Sequence, residues 1–131
     1  MKLEMNVLKE QIKTDSAPAA IGPYSQGIAA DSTVYVSGQL PIDPSTGKMP
    51  DGIAAQAEQS LKNISAILAE KGMSLDNVVK TTVFLADMND FSAMNEMYGR
   101  HFHAPFPCRS AFQVAKLPLG ASLEIECIAV K

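Results

Sequence analysis

A chain of 131 residues with 47% hydrophobic and 19% charged residues has a globular composition and is long enough to bury a core without disulfides or metal. Its net charge of −3, with no cluster of Lys or Arg, argues against nucleic acid as a partner, because phosphate binding needs concentrated positive charge. Trp is absent and aromatic residues are few, so stacking platforms for single strands are scarce.

In chain order, residues 8–14 alternate well enough for a first strand, and 15–23 form a loop holding Pro18, Gly22 and Pro23. Residues 26–30 and 33–40 predict two strands joined by a turn at Asp31-Ser32, followed by a turn-rich loop over 41–52. The clearest helix covers 53–71, where Ala57, Leu61, Ile64 and Leu68 share one face. Asp51 is its expected cap and Gly72 its stop. Residues 78–86 read as a buried strand. Asp90 is placed to cap a second helix with Phe91, Met94, Tyr98 and Phe102 on one face, ended by Pro105 and Pro107. Two strands, within 107–115 and 121–130, close the chain around a Lys-Leu-Pro-Leu-Gly turn.

The order β, β, β, α, β, α, β, β predicts an α+β fold, read as a single domain over 1–131. Strand–loop–helix occurs twice, at 33–71 and 78–103, which hints at a weak duplication without sequence identity behind it. Cys108 and Cys127 form no C-x-x-C and read as two buried free thiols; a disulfide between neighbouring strands is geometrically open but not favoured. The first five residues hold no apolar signal core, and no run approaches the ~18 apolar residues of a membrane span. A reducing, cytoplasmic setting is expected, with no membrane partner.

The last strand bears on assembly. Leu123, Ile125, Cys127 and Ala129 point to one face, and Ser122, Glu124, Glu126, Ile128 and Val130 to the other. Both faces carry apolar residues, yet two helices can cover only one face of a sheet this size. Self-association over the second face is the expected outcome.

Most cofactor chemistries lack their residues. His101 and His103 are two apart on a helical segment and diverge, and neither H-E-x-x-H nor Cys/His ligand spacing occurs. G-x-G-x-x-G, P-loop and G-x-S-x-G patterns are missing as well. What remains is Arg109 in an apolar strand, a costly placement unless an anion meets it. Glu124, a strand later, offers a structural bridge; a bound carboxylate offers a bidentate ligand for the planar guanidinium. The residues alone leave both open. Glu124 and Glu126 share a strand face about 7 Å apart, so one can meet the arginine while the other faces solvent. Tyr24 sits on a loop fixed by Gly22 and Pro23, and Ser37 precedes a glycine that permits close backbone approach. Asn95 lies on the second helix.

These segments resemble the reactive intermediate deaminase family, also called the RidA/YjgF or endoribonuclease L-PSP family. The resemblance rests on Pro-Cys-Arg-Ser at 107–110, Leu-Pro-x-Gly-Ala-x-Leu-Glu-Ile-Glu at 117–126, Ala-Ile-Gly-Pro-Tyr-Ser-Gln at 20–26 and Val-Ser-Gly-Gln at 36–39. Val-Lys-Thr-Thr-Val-Phe-Leu at 79–85 and Asp-Met-Asn-Asp-Phe at 87–91, with Asn95 and Tyr98 after it, complete the set.

It implies a chorismate-mutase-like sheet with two helices packed on one face, assembled as a homotrimer with ligand clefts between subunits. The implied activity is cofactor-free, metal-free hydrolysis of 2-imino and enamine acids to 2-keto acids and ammonia. Arg109 would take the substrate carboxylate, Glu124 the attacking water, and Tyr24, Ser37 and Asn95 would line the pocket. A carboxylate beside a guanidinium stays ionised, so Glu124 would orient water rather than act as a strong base. Many deaminase members carry Cys two residues after the arginine; here that position is Ala111. Two other readings are a keto-acid-binding regulator without turnover and the ribonuclease of the family name, the latter opposed by the acidic balance.

Overall fold

In the computed structural model, which describes residues 8–131, a six-stranded sheet carries two helices on one face. The segment judged for a signal core, residues 1–5, lies outside the described residues. The strands are β1 (Lys9–Ile12), β2 (Gly27–Ala30), β3 (Thr33–Gln39), β4 (Val78–Leu85), β5 (Cys108–Gln113) and β6 (Leu123–Val130). The helices are α1 (Ile53–Ala69) and α2 (Phe91–His101).

Sheet order is β1-β2-β3-β6-β4-β5. Only β4 and β5 pair in parallel, because α2 carries the chain back to the starting edge between them. The other pairs are antiparallel.

Helix α1 buries Ala57, Leu61, Ile64, Ile67 and Leu68 against β3 and β6. Its expected cap is not made: Gly52, at φ 90°, holds the N-cap position, and no side chain caps the first turn. Asp90 stands at the N-cap of α2 but also makes no capping bond; Asp87 instead accepts from the Asn89 N–H and caps the short turn Met88–Asp90. Helix α1 stops at Ala69 rather than residue 71. The Glu70, Lys71 and Gly72 N–H groups reach back only three residues, tightening the end before Gly72 turns the chain at φ 68°.

The alternation in β6 holds. Leu123, Ile125, Cys127 and Ala129 are buried beneath the helices, while Glu124, Glu126, Ile128 and Val130 line the opposite, open face. On that face Tyr35, Phe112 and Val130 remain 49%, 45% and 38% exposed, a partly apolar surface that no element of the described residues covers.

Both thiols are free as expected, but only one of them is buried. Cys127 is buried, and burial pushes its thiol up to about 12. Cys108 is exposed, because β5 is an edge strand and this residue faces away from the helices. Strands β5 and β6 flank β4 on opposite sides, so the two thiols are not neighbours. Among the described residues no cluster of metal-ligating side chains forms: His103 is exposed, and His101 lies 3.9 Å from Glu58. No helix of the described residues is long and apolar enough to cross a membrane.

Candidate active site

Arg109 is reached through register. It pairs with Thr81 of β4, and Thr81 pairs with Cys127 of β6, so all three point to the helix face. There the Arg109 Nη1 donates to Asn95 Oδ1 at 2.8 Å. The guanidinium carbon lies 4.7 Å from the Tyr98 ring centroid and 5.4 Å from that of Phe91. Helix α2 thus holds an exposed cation with one amide and two aromatic faces.

Glu124 lies on the other side of the sheet. It pairs with Phe84 of β4, three residues along from Thr81, and an odd separation reverses the face. An Arg109–Glu124 bridge within one chain is therefore excluded by the pleat. The Glu124 carboxylate instead rests on Gly38 of β3: a Cβ at that glycine would come 2.6 Å from Glu124 Oε2. The glycine leaves room for the acid where β3 breaks register with β6, between Val36 and Gln39.

No guanidinium of this chain offsets the burial of Glu124. Desolvation raises its carboxyl above the ordinary glutamate value, and Glu126 on the same face adds to the rise. The expectation of an acid kept ionised by its arginine is thus overturned for the single chain.

Ser37 precedes Gly38 in β3, and Tyr24 lies on the loop before β2. Ser37 Oγ donates to the Ser25 carbonyl at 2.6 Å, and the Tyr24 hydroxyl accepts from the Ile21 N–H at 3.3 Å. Gln26, buried just before β2, holds the preceding loop. Its side chain accepts from the Thr14 N–H at 2.7 Å and donates to the Pro18 carbonyl at 2.7 Å. A cleft of about 900 Å³ opens beside this loop, with Tyr24, Gly38 and Leu119 among its walls. Next to Glu124 on the open face, Phe84 meets Phe112 edge-on at 5.5 Å.

The five candidate residues therefore fall into two groups. Arg109 and Asn95 meet on the helix face; Glu124 is seated against Gly38 on the other, Ser37 precedes that glycine in β3, and Tyr24 shares a cleft wall with it. Sequence reasoning missed the aromatic support of Arg109. The signal was the spacing of Phe91, Asn95 and Tyr98, but Phe91 and Tyr98 read as ordinary core positions. Ala111 shares the helix-side direction of Arg109 and packs against the core, while Cys108 faces away, so β5 brings no thiol to the arginine's side.

Two helices on a six-stranded mixed sheet, with an arginine cradled on one face and a carboxylate seated on a glycine on the other, define a YjgF-like α+β protein. The Endoribonuclease L-PSP family matches residues 14–131, and the chain belongs to that family, which includes the RidA and YjgF proteins. It is 51% identical over 127 residues to the Mus musculus protein named 2-iminobutanoate/2-iminopropanoate deaminase, spanning 96% of this chain and 94% of that one. Among solved structures, RidA from an Antarctic Psychrobacter superposes with a TM-score of 0.90 at 48% identity, covering 93% of this chain and 99% of that one. E. coli TdcF with bound serine superposes with a TM-score of 0.89 at 46% identity, covering 93% and 98%.

Proposed function

We propose that this chain hydrolyses reactive 2-imino and enamine acids, among them 2-aminoacrylate, 2-iminopropanoate and 2-iminobutanoate, to 2-keto acids and ammonia. Support comes from near full-length similarity to proteins carrying that name and from the two half-sites. A relative holding serine also shows a small carboxylate compound bound in this family.

The chemistry suits the residues. A protonated imine carbon is already electrophilic, so water attacks it directly. The water oxygen bonds to that carbon as the C=N π pair moves to nitrogen, one water proton passes to nitrogen, and the C–N bond breaks as the remaining hydroxyl proton is lost to the departing ammonia, leaving a ketone and ammonium. Arg109 binds the substrate carboxylate through donors that Asn95 does not occupy. Glu124 takes a proton of the attacking water and returns it to the leaving nitrogen. Tyr24 and Ser37 line the pocket, and positioning supplies much of the remaining acceleration.

The separation of Arg109 from Glu124 carries the assembly reading: the site is completed by a second copy. In a homotrimer, Arg109 and Asn95 of one protomer would face Glu124, Ser37 and Tyr24 of the next, and the partly apolar open faces would be covered. The thiols Cys108 and Cys127 suit a reducing, cytoplasmic setting.

Mixing inactive variants tests both parts. Arg109→Ala and Glu124→Gln are each expected to bring ammonia release from a dehydratase-fed imine down close to the water rate. Trimers formed from a 1:1 mixture should regain about a quarter of the wild-type rate, since one site in four then receives both wild-type groups. No regain would place the whole site within one protomer. A wild-type chain that releases no ammonia above the water rate would remove the deaminase reading, and saturable keto-acid binding by that chain would favour the regulator instead.

A further inference from the structure

The Arg109 cradle contains more than a carboxylate clamp requires, and the surplus is Tyr98. Phe91, Asn95 and Tyr98 stand at i, i+4 and i+7 of α2, so one stripe of the helix serves one cation. Tyr98 differs from Phe91 in being fixed at its far end. Its hydroxyl shares a 2.7 Å hydrogen bond with the Thr81 hydroxyl, and its ring leans on Phe102 with centroids 4.5 Å apart. Thr81 is 0% exposed and is the cross-strand neighbour of Arg109 itself.

Packing does not call for this hydroxyl pair. Phe at 98 and Val at 81 would fill nearly the same space without burying polar groups. The pair does fix where the Tyr98 ring lies, and the guanidinium rests on that ring. Burial raises the phenol pKa, against smaller lowering by Thr81 and Arg109, so the ring stays neutral and keeps its electron-rich face.

We propose that Tyr98 is a positioning residue for the Arg109 clamp, its ring supporting the guanidinium and its Thr81-pegged hydroxyl setting where that ring lies. An arginine on an exposed edge strand otherwise samples many rotamers, and ordering it on each binding event weakens binding. The Tyr98 ring underlies the guanidinium and Asn95 takes Nη1, which leaves the remaining donors for a carboxylate. The inference rests on the reading of Arg109 as a carboxylate clamp.

The test separates support from mere packing. Tyr98→Leu removes ring and peg; KM for the imine and Kd for 2-oxobutanoate are expected to rise about 3- to 30-fold, with kcat changed less. Tyr98→Phe and Thr81→Val keep a ring and remove only the peg, and each should raise both constants by a smaller factor. A purely structural role would lower Tm and the active fraction while leaving KM unmoved. Should Tyr98→Leu fail to fold, trifluorophenylalanine at position 98 is compared with Tyr98→Phe. Fluorination weakens the ring's negative face at nearly constant shape, so KM and Kd should rise with Tm unchanged.

Constants for Tyr98→Leu within about twofold of wild type, or equal for the fluorinated and plain rings, overturn the proposal. A wild type that binds 2-oxobutanoate yet releases no ammonia removes the deaminase reading, and the Kd series then decides this inference by itself. A wild type that does neither overturns both.

Discussion

Arg109 on the helix face and Glu124 on the open face are both charges on one sheet, and the chain holds them by different means. The cation is gripped by side chains of α2: an amide accepts one N–H and two aromatic rings face the guanidinium. The acid is seated by an omission, the missing Cβ of Gly38, and among the described residues no salt bridge engages it. A group that must bind a ligand in one orientation gains from fixed partners. A group that must exchange protons gains from burial without a cation to hold it ionised.

The largest expected effect strikes the gripped side. Arg109→Ala should lower kcat/KM about 100-fold or more, because the substrate carboxylate loses its charged, bidentate partner. Arg109→Lys should recover little, since an ammonium neither stacks flat on Tyr98 nor offers a planar fork. Steady-state kinetics on both variants checks this, and a lysine variant with near wild-type KM would show that charge alone suffices. On the seated side, Gly38→Ala is the next largest effect. Its methyl cannot share space with Glu124 Oε2, so the carboxylate must shift by about 1 Å, which is expected to lower kcat 10- to 100-fold. KM should move little, since the Arg109 cradle is untouched. The opposite split, KM raised at constant kcat, would assign Gly38 to substrate binding instead of seating the acid.

The two sides also differed in how far the sequence could show them. The alternation of β6 put Glu124 and Glu126 on the face opposite Leu123 and Ile125, and the structure keeps them there. Element order and the α1 core stripe were equally visible, because hydrophobic period is a local property of the chain. The face of Arg109 relative to Glu124 was not visible. It depends on register across β5, β4 and β6, which only the assembled sheet sets. Asp51 and Asp90 had the residue type of caps, but capping requires a backbone turn that Gly52 and the Asp87 turn supply differently. Cys108 looked buried beside apolar neighbours because nothing local marks β5 as an edge strand.

The smallest expected effect concerns what tunes the acid. Glu126 follows Glu124 on the open face, and its charge raises the Glu124 pKa on top of the rise that burial causes. Glu126→Gln removes the charge and leaves the burial, so the Glu124 pKa should fall toward, but not reach, its ordinary value. If Glu124 works as a base, activity disappears as it gains a proton. The acid limb of the kcat/KM profile should then move to lower pH in Glu126→Gln, with the plateau rate little changed. Stability follows the same sign. A carboxyl whose folded pKa exceeds its unfolded one favours the folded state at low pH, and that advantage is lost as pH rises through the two values. Glu126→Gln reduces the loss, so the variant should melt slightly higher than wild type at neutral pH, and this Glu124 contribution to the difference should vanish at acid pH, where Glu124 is protonated in both. An acid limb that stays in place while the melting difference follows this course would mean that Glu124 titrates as described but another group takes the proton from water.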